Sequence, residues 1–295
     1  MTLAGWMIGS LAGSVACGAR TELGVIDESW NDAGVTADSS LADTATPHDA
    51  AHGFTPRSLN NLVLWLDASQ LVKLAPNGEV MAWGDLSSFQ NDAQAATGFA
   101  PTLLQNGIND LSSIHFGASN SPLSLTINDS TSLEWGTDDF VLAVVARFTN
   151  DPQANSAANF YSKSTFLGQA GSGVEFWGNV CDLTNTITDG LLMRENYSTG
   201  VTAHVAYHDG VARAFLVRRA AGMMELRVNG ASVATQSEWG PVDVSAPWTS
   251  VLIGADWGHY YPIFGDIAEI VGLKGPTSIG DLSALEAYLT AKYAL

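Results

Sequence analysis

The strongest constraint on this chain is its punctuation: from residue 58 onward, short apolar runs are interrupted by Gly, Asn, Asp or Pro about every ten residues. Runs that short cannot make long helices, and regularly spaced turn residues are what an antiparallel β-sandwich needs. The predicted strands are residues 62–67 (LVLWLD), 80–83 (VMAW), 113–116 (SIHF), 140–148 (FVLAVVARF), 203–207, 214–218, 225–228, 250–253 and 267–271. Segment 140–148 is almost continuously apolar, which suits a central strand covered on both faces. Between 226–228 and 232–234 lies Asn229-Gly230, a pair that tolerates positive φ at both central positions of a type I′ turn and so predicts a tight hairpin. One short helix is predicted, at the C-terminal end. Ser278 caps its start, Asp281 meets the positive end of its dipole, and Ile279, Leu282, Leu285, Tyr288 and Leu289 form its apolar face. No internal repeat is visible, and an all-β sandwich of this size is ordinary, so residues 58–295 read as one domain.

Composition narrows the function classes. Of 295 residues, 46% are hydrophobic and 14% charged, enough apolar material for a sizeable core. Acids outnumber bases 30 to 12, a formal charge of −18 that repels phosphate and excludes nucleic acid as a partner. Two cysteines exclude a disulfide scaffold and a four-cysteine zinc site.

The first 57 residues are different. Residues 1–16 (MTLAGWMIGSLAGSVA) are uncharged and apolar, too short to span a bilayer, and end in small residues before Cys17, the pattern of a signal peptide. With Cys17 at that junction, the segment resembles the lipobox of bacterial lipoproteins. The resemblance implies cleavage before Cys17 and lipid on its thiol and amine, and Gly18 in the next position implies sorting to the outer membrane, hence a cell-envelope location. Residues 18–57 carry Glu22, Asp27, Glu28, Asp32, Asp38, Asp43 and Asp49 against Arg20 and Arg57, with no period of 2 or 3.6, and read as a disordered acidic linker. The Cys-Gly-Ala-Arg-Thr opening and the acidic, threonine-containing stretch after it resemble myxobacterial surface lipoproteins. Trp30, His48 and His52 in this linker read as bystanders, because a zinc site needs three or four fixed ligands.

Across residues 60–295, LVLWLDAS (62–69), Trp83-Gly84-Asp85 with Asn91-Asp92-Ala93, Pro101, IHF (114–116), LRVNG (226–230), Ile253-Gly254, FGDIAEIVG (264–272) and EAYLTAKYAL (286–295) occur in an order and spacing similar to the laminin-G-like, concanavalin A-like jelly roll of bacterial secreted proteins. The resemblance implies two packed antiparallel sheets, one of them concave, with rim loops that often bind glycans and sometimes calcium.

Some jelly rolls hydrolyse polysaccharides, which needs paired carboxylates. A Glu-x-Asp-x-x-Glu run is absent, and Asp266 and Glu269 have an odd spacing that sends them to opposite faces unless a bulge intervenes. Gly171-Ser172-Gly173 reads as a turn rather than a nucleophile elbow, and Cys181 as a small buried hydrophobe. His204 and His208 share a strand face but have no evident third ligand. Calcium is the cation the loops suit best, through Asp85 with Asn91 and Asp92, or Asp138 with Asp139, although Asp and Asn also make turns through their own backbone.

A sugar needs an apolar platform and a few fixed polar groups. Trp257, His259, Tyr260 and Tyr261 supply them in a predicted loop after Asp256, and Trp177 and Asn179 in a second, with Arg194 to Tyr197 adding polar reach. The leading reading is a non-catalytic cell-surface module that recognises glycan. A polysaccharide hydrolase or lyase is the alternative, and a structural module that meets a surface protein is the third.

Overall fold

The computed structural model describes residues 53–117, 123–148, 158–164, 172–181, 187–188, 191–195, 199–205, 207, 209–238, 242–256 and 262–295. In chain order the strands begin with β1 Leu62–Asp67, β2 Val72–Leu74, β3 Val80–Trp83, β4 Ala93–Ala95, β5 Thr102–Ile108 and β6 Leu111–His115. They continue with β7 Leu125–Ile127, β8 Phe140–Phe148, β9 Ala158–Ser164, β10 Gly173–Cys181, β11 Ile187–Thr188 and β12 Leu191–Glu195. The last are β13 Thr199–Ala203, β14 Arg213–Ala220, β15 Met223–Val228, β16 Ala231–Ser237, β17 Val251–Ile253 and β18 Gly265–Lys274, before the helix α1 Ile279–Tyr293.

These strands form two antiparallel sheets, and the fold is an all-β, concanavalin A-like jelly-roll sandwich with a short C-terminal helix. Among the described residues one sheet has eight strands in the order β16-β15-β14-β8-β18-β6-β5, with β1 also paired to β18, and the other has ten in the order β13-β12-β10-β9-β17-β7-β4-β3-β2, with β11 on β10. Alternation sorts the side chains into three layers. Between the sheets pack Leu64, Ile114, Phe148 and Phe215 from the first and Trp83, Phe160, Phe176 and Ile253 from the second. The outer face of the eight-stranded sheet contributes Val141, Ala143, Val145, Leu216 and Val271 to a second cluster with Leu282, Leu285, Leu289 and Tyr293 of α1. On the outer face of the ten-stranded sheet, Trp177 packs with Leu192.

β8 therefore has both faces buried, as its apolar run requires, and is bracketed by β14 and β18. Asn229 and Gly230 both take positive φ, +47° and +79°, and close the β15–β16 hairpin. Ser278 accepts the Asp281 N–H at 3.0 Å and starts α1 as expected. Two expectations are corrected. Ile279 is 65% exposed, because at the first helical turn it points away from the sheet. The strand expected at 203–207 ends at Ala203, because Val201 and Ala203 are the core-facing positions and the chain turns outward at His204 and Val205, both exposed.

β18 contains the bulge that the Asp266–Glu269 spacing allowed for. The register with β8 slips between Ile267 and Glu269, so both carboxylates lie on the outer face while Ile267 and Ile270 stay in the core. They do not work together. Asp266 accepts from His115 Nδ1 at 2.7 Å and from Arg147 Nε at 3.0 Å. Glu269, fully buried under α1, accepts from Trp65 Nε1 at 2.7 Å, Lys292 Nζ at 2.7 Å, Tyr293 OH at 2.9 Å and Tyr288 OH at 3.1 Å. Lys292 also donates to buried Asp67 at 2.8 Å, so the network locks the helix to the sheet.

Candidate functional site

Asp85 organises the first feature of interest. It follows Gly84 after β3, and its two oxygens accept four protein donors: Trp65 N at 2.8 Å, Ser87 N at 2.9 Å, Ser87 Oγ at 2.6 Å and Asn91 N at 2.8 Å. Asp92 accepts the Asp85 N–H at 2.8 Å, and Asn91 Nδ2 donates to Val63 O at 2.8 Å and Ser132 Oγ at 2.9 Å. Asp85, Asn91 and Asp92 thus spend these polar groups on shaping the loop, the turn-making role open to Asp and Asn, and on tying it to β1 and Ser132. Among the described residues no three His, Cys, Asp or Glu side chains converge as metal ligands.

What this loop presents is Phe89, 51% exposed. Its ring borders an open pocket of about 520 Å³ lined by Asn60, Asn61, Leu62, Val63, Phe89, Thr131, Ser132, Asp138, Lys274 and Gly275. Leu62 and Val63, at the start of β1, are buried apolar residues; Asn60, Asn61, Thr131 and Ser132 are neutral and polar, and Asp138 and Lys274 are charged. Asn61 is held by donating to Thr277 Oγ1 at 2.9 Å, and Lys274 Nζ lies 3.8 Å from Asp138. An aromatic ring beside amides and hydroxyls is the combination that receives a sugar, apolar face on ring and hydroxyls on fixed polar groups.

The segment 128–139, which supplies Thr131 and Ser132 to that pocket, also holds the second feature. Thr249 N bonds Ala246 O at 3.3 Å, a turn with Pro247 and Trp248 at its centre, and Trp248 has φ +65°. A Pro followed by a left-handed residue is type II turn chemistry, and that second position belongs to Gly or Asn. Trp248 occupies it with its side chain in water, 92% exposed. A bulky residue there carries about 1–3 kcal/mol of strain, so the surroundings must impose it. Asp129 accepts the Trp248 N–H at 2.9 Å and Lys163 Nζ at 2.8 Å, while Lys163, on β9 and almost fully buried, also donates to Thr249 O at 2.7 Å and pairs with Glu134 at 3.0 Å. Glu134 in turn accepts the Ala246 N–H at 2.8 Å. The hydrogen bond from Lys163 holds the Asp129 carboxyl below the ordinary carboxylate range.

Arg219 ties the two segments together from below. Its guanidinium donates to Gly136 O at 2.7 Å, Asp138 O at 2.6 Å and Val242 O at 3.0 Å, and pairs with the fully buried Glu195 at 2.9 Å. Burial pushes the Glu195 carboxyl up to about 8, with Arg219 opposing and Glu238 adding to the shift.

The expected second aromatic loop is not a loop. Residues 175–179 belong to β10, where Phe176 faces the core and Trp177 the opposite side, only 4% exposed, its indole donating to Glu175 Oε2 at 3.1 Å. Gly178 sits on the core side because a Cβ there would collide with Phe148 and Phe160. Asn179 is placed only as a residue of β10, as is Cys181. Buried Asp256, just before the other expected loop, accepts from Ser162 Oγ at 2.8 Å. Trp257, His259, Tyr260 and Tyr261 lie outside the described residues, as do Cys17 and His208. Asp138 is exposed and Asp139 accepts the Ala221 N–H at 3.1 Å. Sequence reasoning missed Phe89 and Trp248. Only Pro247 signalled a turn at Trp248, and nothing local distinguishes an outward indole from the buried ones.

No protein-family model matches this sequence, and no curated protein matches it. Solved structures share the fold. The binding domain of Paraclostridial Mosquitocidal Protein 1 superposes with a TM-score of 0.52 at 12% identity, over 80% of this chain and 52% of that one. The binding domain of botulinum neurotoxin serotype D/C gives 0.53 at 11%, over 80% and 53%. A Trypanosoma rangeli sialidase in complex with sialic acid gives 0.50 at 9%, over 79% and 33%. The chain thus spans about half the length of the solved binding domains and a third of the sialidase.

Proposed function

We propose that this protein is a glycan-binding module displayed on the cell envelope, acting without chemistry. The observation that carries the reading is the Phe89 pocket: a half-exposed aromatic residue on the loop held by Asp85, beside the amides of Asn60 and Asn61 and the hydroxyls of Thr131 and Ser132. The shared fold supports it at the level of architecture alone, since solved binding domains and part of a sialidase superpose on this chain. Composition makes the Trp257–Tyr261 stretch a further contact in this proposal, whereas Trp177, covered on β10, is left out of it. Anchoring rests on the sequence: lipid on Cys17, behind a signal peptide of residues 1–16, tethers the 58–295 module through the acidic linker. A calcium ion is no part of the proposed Phe89 contact, because the Asp85 oxygens are taken by protein donors.

The test is a glycan array probed with the full chain and with its Phe89→Ala variant, with and without chelator. Binding by the wild type that falls about tenfold in the variant and ignores chelator supports the pocket, the size expected for losing one aromatic contact. Wild-type affinity retained in the variant removes the pocket from the reading, and cleavage of a bound glycan replaces it with the hydrolase.

A further inference from the structure

We infer that Trp248 is a second sugar platform, and that it and the Phe89 pocket together receive an extended, uncharged glycan chain rather than a single terminal sugar. The inference rests on the glycan-binding reading and specifies its ligand class.

The first ground is construction. Trp248 stands in a position suited to Gly, held there by Asp129, and the turn around it is braced by a buried lysine and by Glu134. An indole that happened to be exposed needs no such bracing. A side chain forced outward on a rigid turn is presented to something, and observed strain is the legitimate starting point for a functional hypothesis. The second ground is placement. Trp248 is pinned to Asp129, and the Phe89 loop is pinned through Asn91 to Ser132. Those anchor residues are at most about 11 Å apart even in a fully extended chain, and Arg219 holds the segment that carries them, through Gly136 O and Asp138 O, to Val242 O ahead of the Trp248 turn. Two exposed aromatic side chains anchored to one short segment suit separate rings of one extended chain.

The third ground is charge and isolation. Residues 58–295 carry 23 acids against 10 bases. Asp243 flanks the Trp248 turn beside Asp129, which is paired with Lys163, and Asp138 lines the pocket near Lys274, so the excess of acids over bases in the whole body sets the field. Uronic or sialic acid rings would meet repulsion there, as would an anionic membrane. Pro247 and Trp248 form an apolar spot between Asp243, Ser245 and Thr249, too small for the contiguous patch of a protein interface. A neutral pyranose, with its C–H face on the indole, matches that surface.

The experiment uses the full chain and unbranched neutral glucose oligosaccharides from disaccharide to hexasaccharide, with sialylated and uronic oligomers of matching length. Affinity is read by calorimetry, and ligand contact by protection of tryptophan fluorescence from acrylamide. The expected result is affinity that rises with neutral chain length. Trp248→Ala removes that rise, costs the hexasaccharide about three- to tenfold, leaves the disaccharide unchanged and abolishes the protection, while Trp248→Tyr keeps most of it. A length dependence unaltered in Trp248→Ala overturns the second platform and leaves the Phe89 reading intact. Tighter binding of the acidic oligomers overturns the ligand class. No wild-type binding to any oligomer overturns both readings together.

Discussion

Trp65 and Trp248 belong to the same chain and face opposite fates. Trp65 lies on the outer side of the eight-stranded sheet, 6% exposed, its indole N–H on Glu269 and its neighbourhood sealed by α1. Trp248 stands 92% exposed on a left-handed turn at the rim. Around Trp65 each feature serves stability: apolar leucines cover the sheet, and the buried carboxylates of Asp67 and Glu269 share Lys292. Around Trp248 the polar groups serve position, holding a turn that stability alone would have given to glycine. One kind of side chain is thus a structural plug where its surroundings close over it and a candidate contact where they hold it open.

The comparison breaks most sharply on the covered face. Lys292→Met leaves Asp67 and Glu269 buried without their cation, and stability should fall by about 3–5 kcal/mol, read as a large drop in the thermal midpoint. Glycan affinity measured below that midpoint should not change. A loss of binding in the folded variant would mean that the helix-covered face is coupled to the rim.

A smaller effect is expected beneath the rim, at Glu195. Because burial raises its carboxyl to about 8, the folded protein retains a proton there that the unfolded chain releases near the ordinary glutamate value. Its contribution to stability is complete at lower pH and drains away as pH climbs through about 8. Glu195→Gln should flatten that decline in melting temperature between about pH 5 and about pH 8, and an unchanged pH profile would refute the assignment.

The smallest effect in stability, with the clearest contrast in function, is expected at Trp248→Gly. Glycine relieves the left-handed strain but adds unfolded-state entropy, so the variant should lie within about 1 kcal/mol of the wild type and on the stable side. Its long-chain glycan affinity should nevertheless drop. A destabilised Trp248→Gly would show that the indole supports the fold, as Trp65 does.

Legibility followed the range of the forces involved. The β8 run, the Asn229-Gly230 hairpin and the Ser278 cap could be read because each depends on neighbours a few residues away. The bulge in β18 could be stated only as a condition, because whether Asp266 and Glu269 share a face depends on pairing with β8. Residues 175–179 looked like a loop because a glycine and an asparagine follow the aromatics. The strand is set by partners on either side, β9 and β12, and Gly178 is there to make room for Phe148 and Phe160. Asp85, Asn91 and Asp92 stand close together in the sequence, and only the long-range partners, the donor Trp65 N and the acceptor Ser132 Oγ, showed where their bonds go.

By itself, the sequence determined the class: an acidic, all-β body with a capped terminal helix, after an apolar run over residues 1–16 and an acidic stretch. Those properties follow from alternation, turn chemistry and charge, all of which are written in neighbouring residues. Which tryptophans are covered, which carboxylates meet cations, and which loop is braced outward were decided by the tertiary structure. Burial and strain arise only when distant segments such as Lys163, Asp129 and Trp248 are brought together, and no local pattern records that meeting.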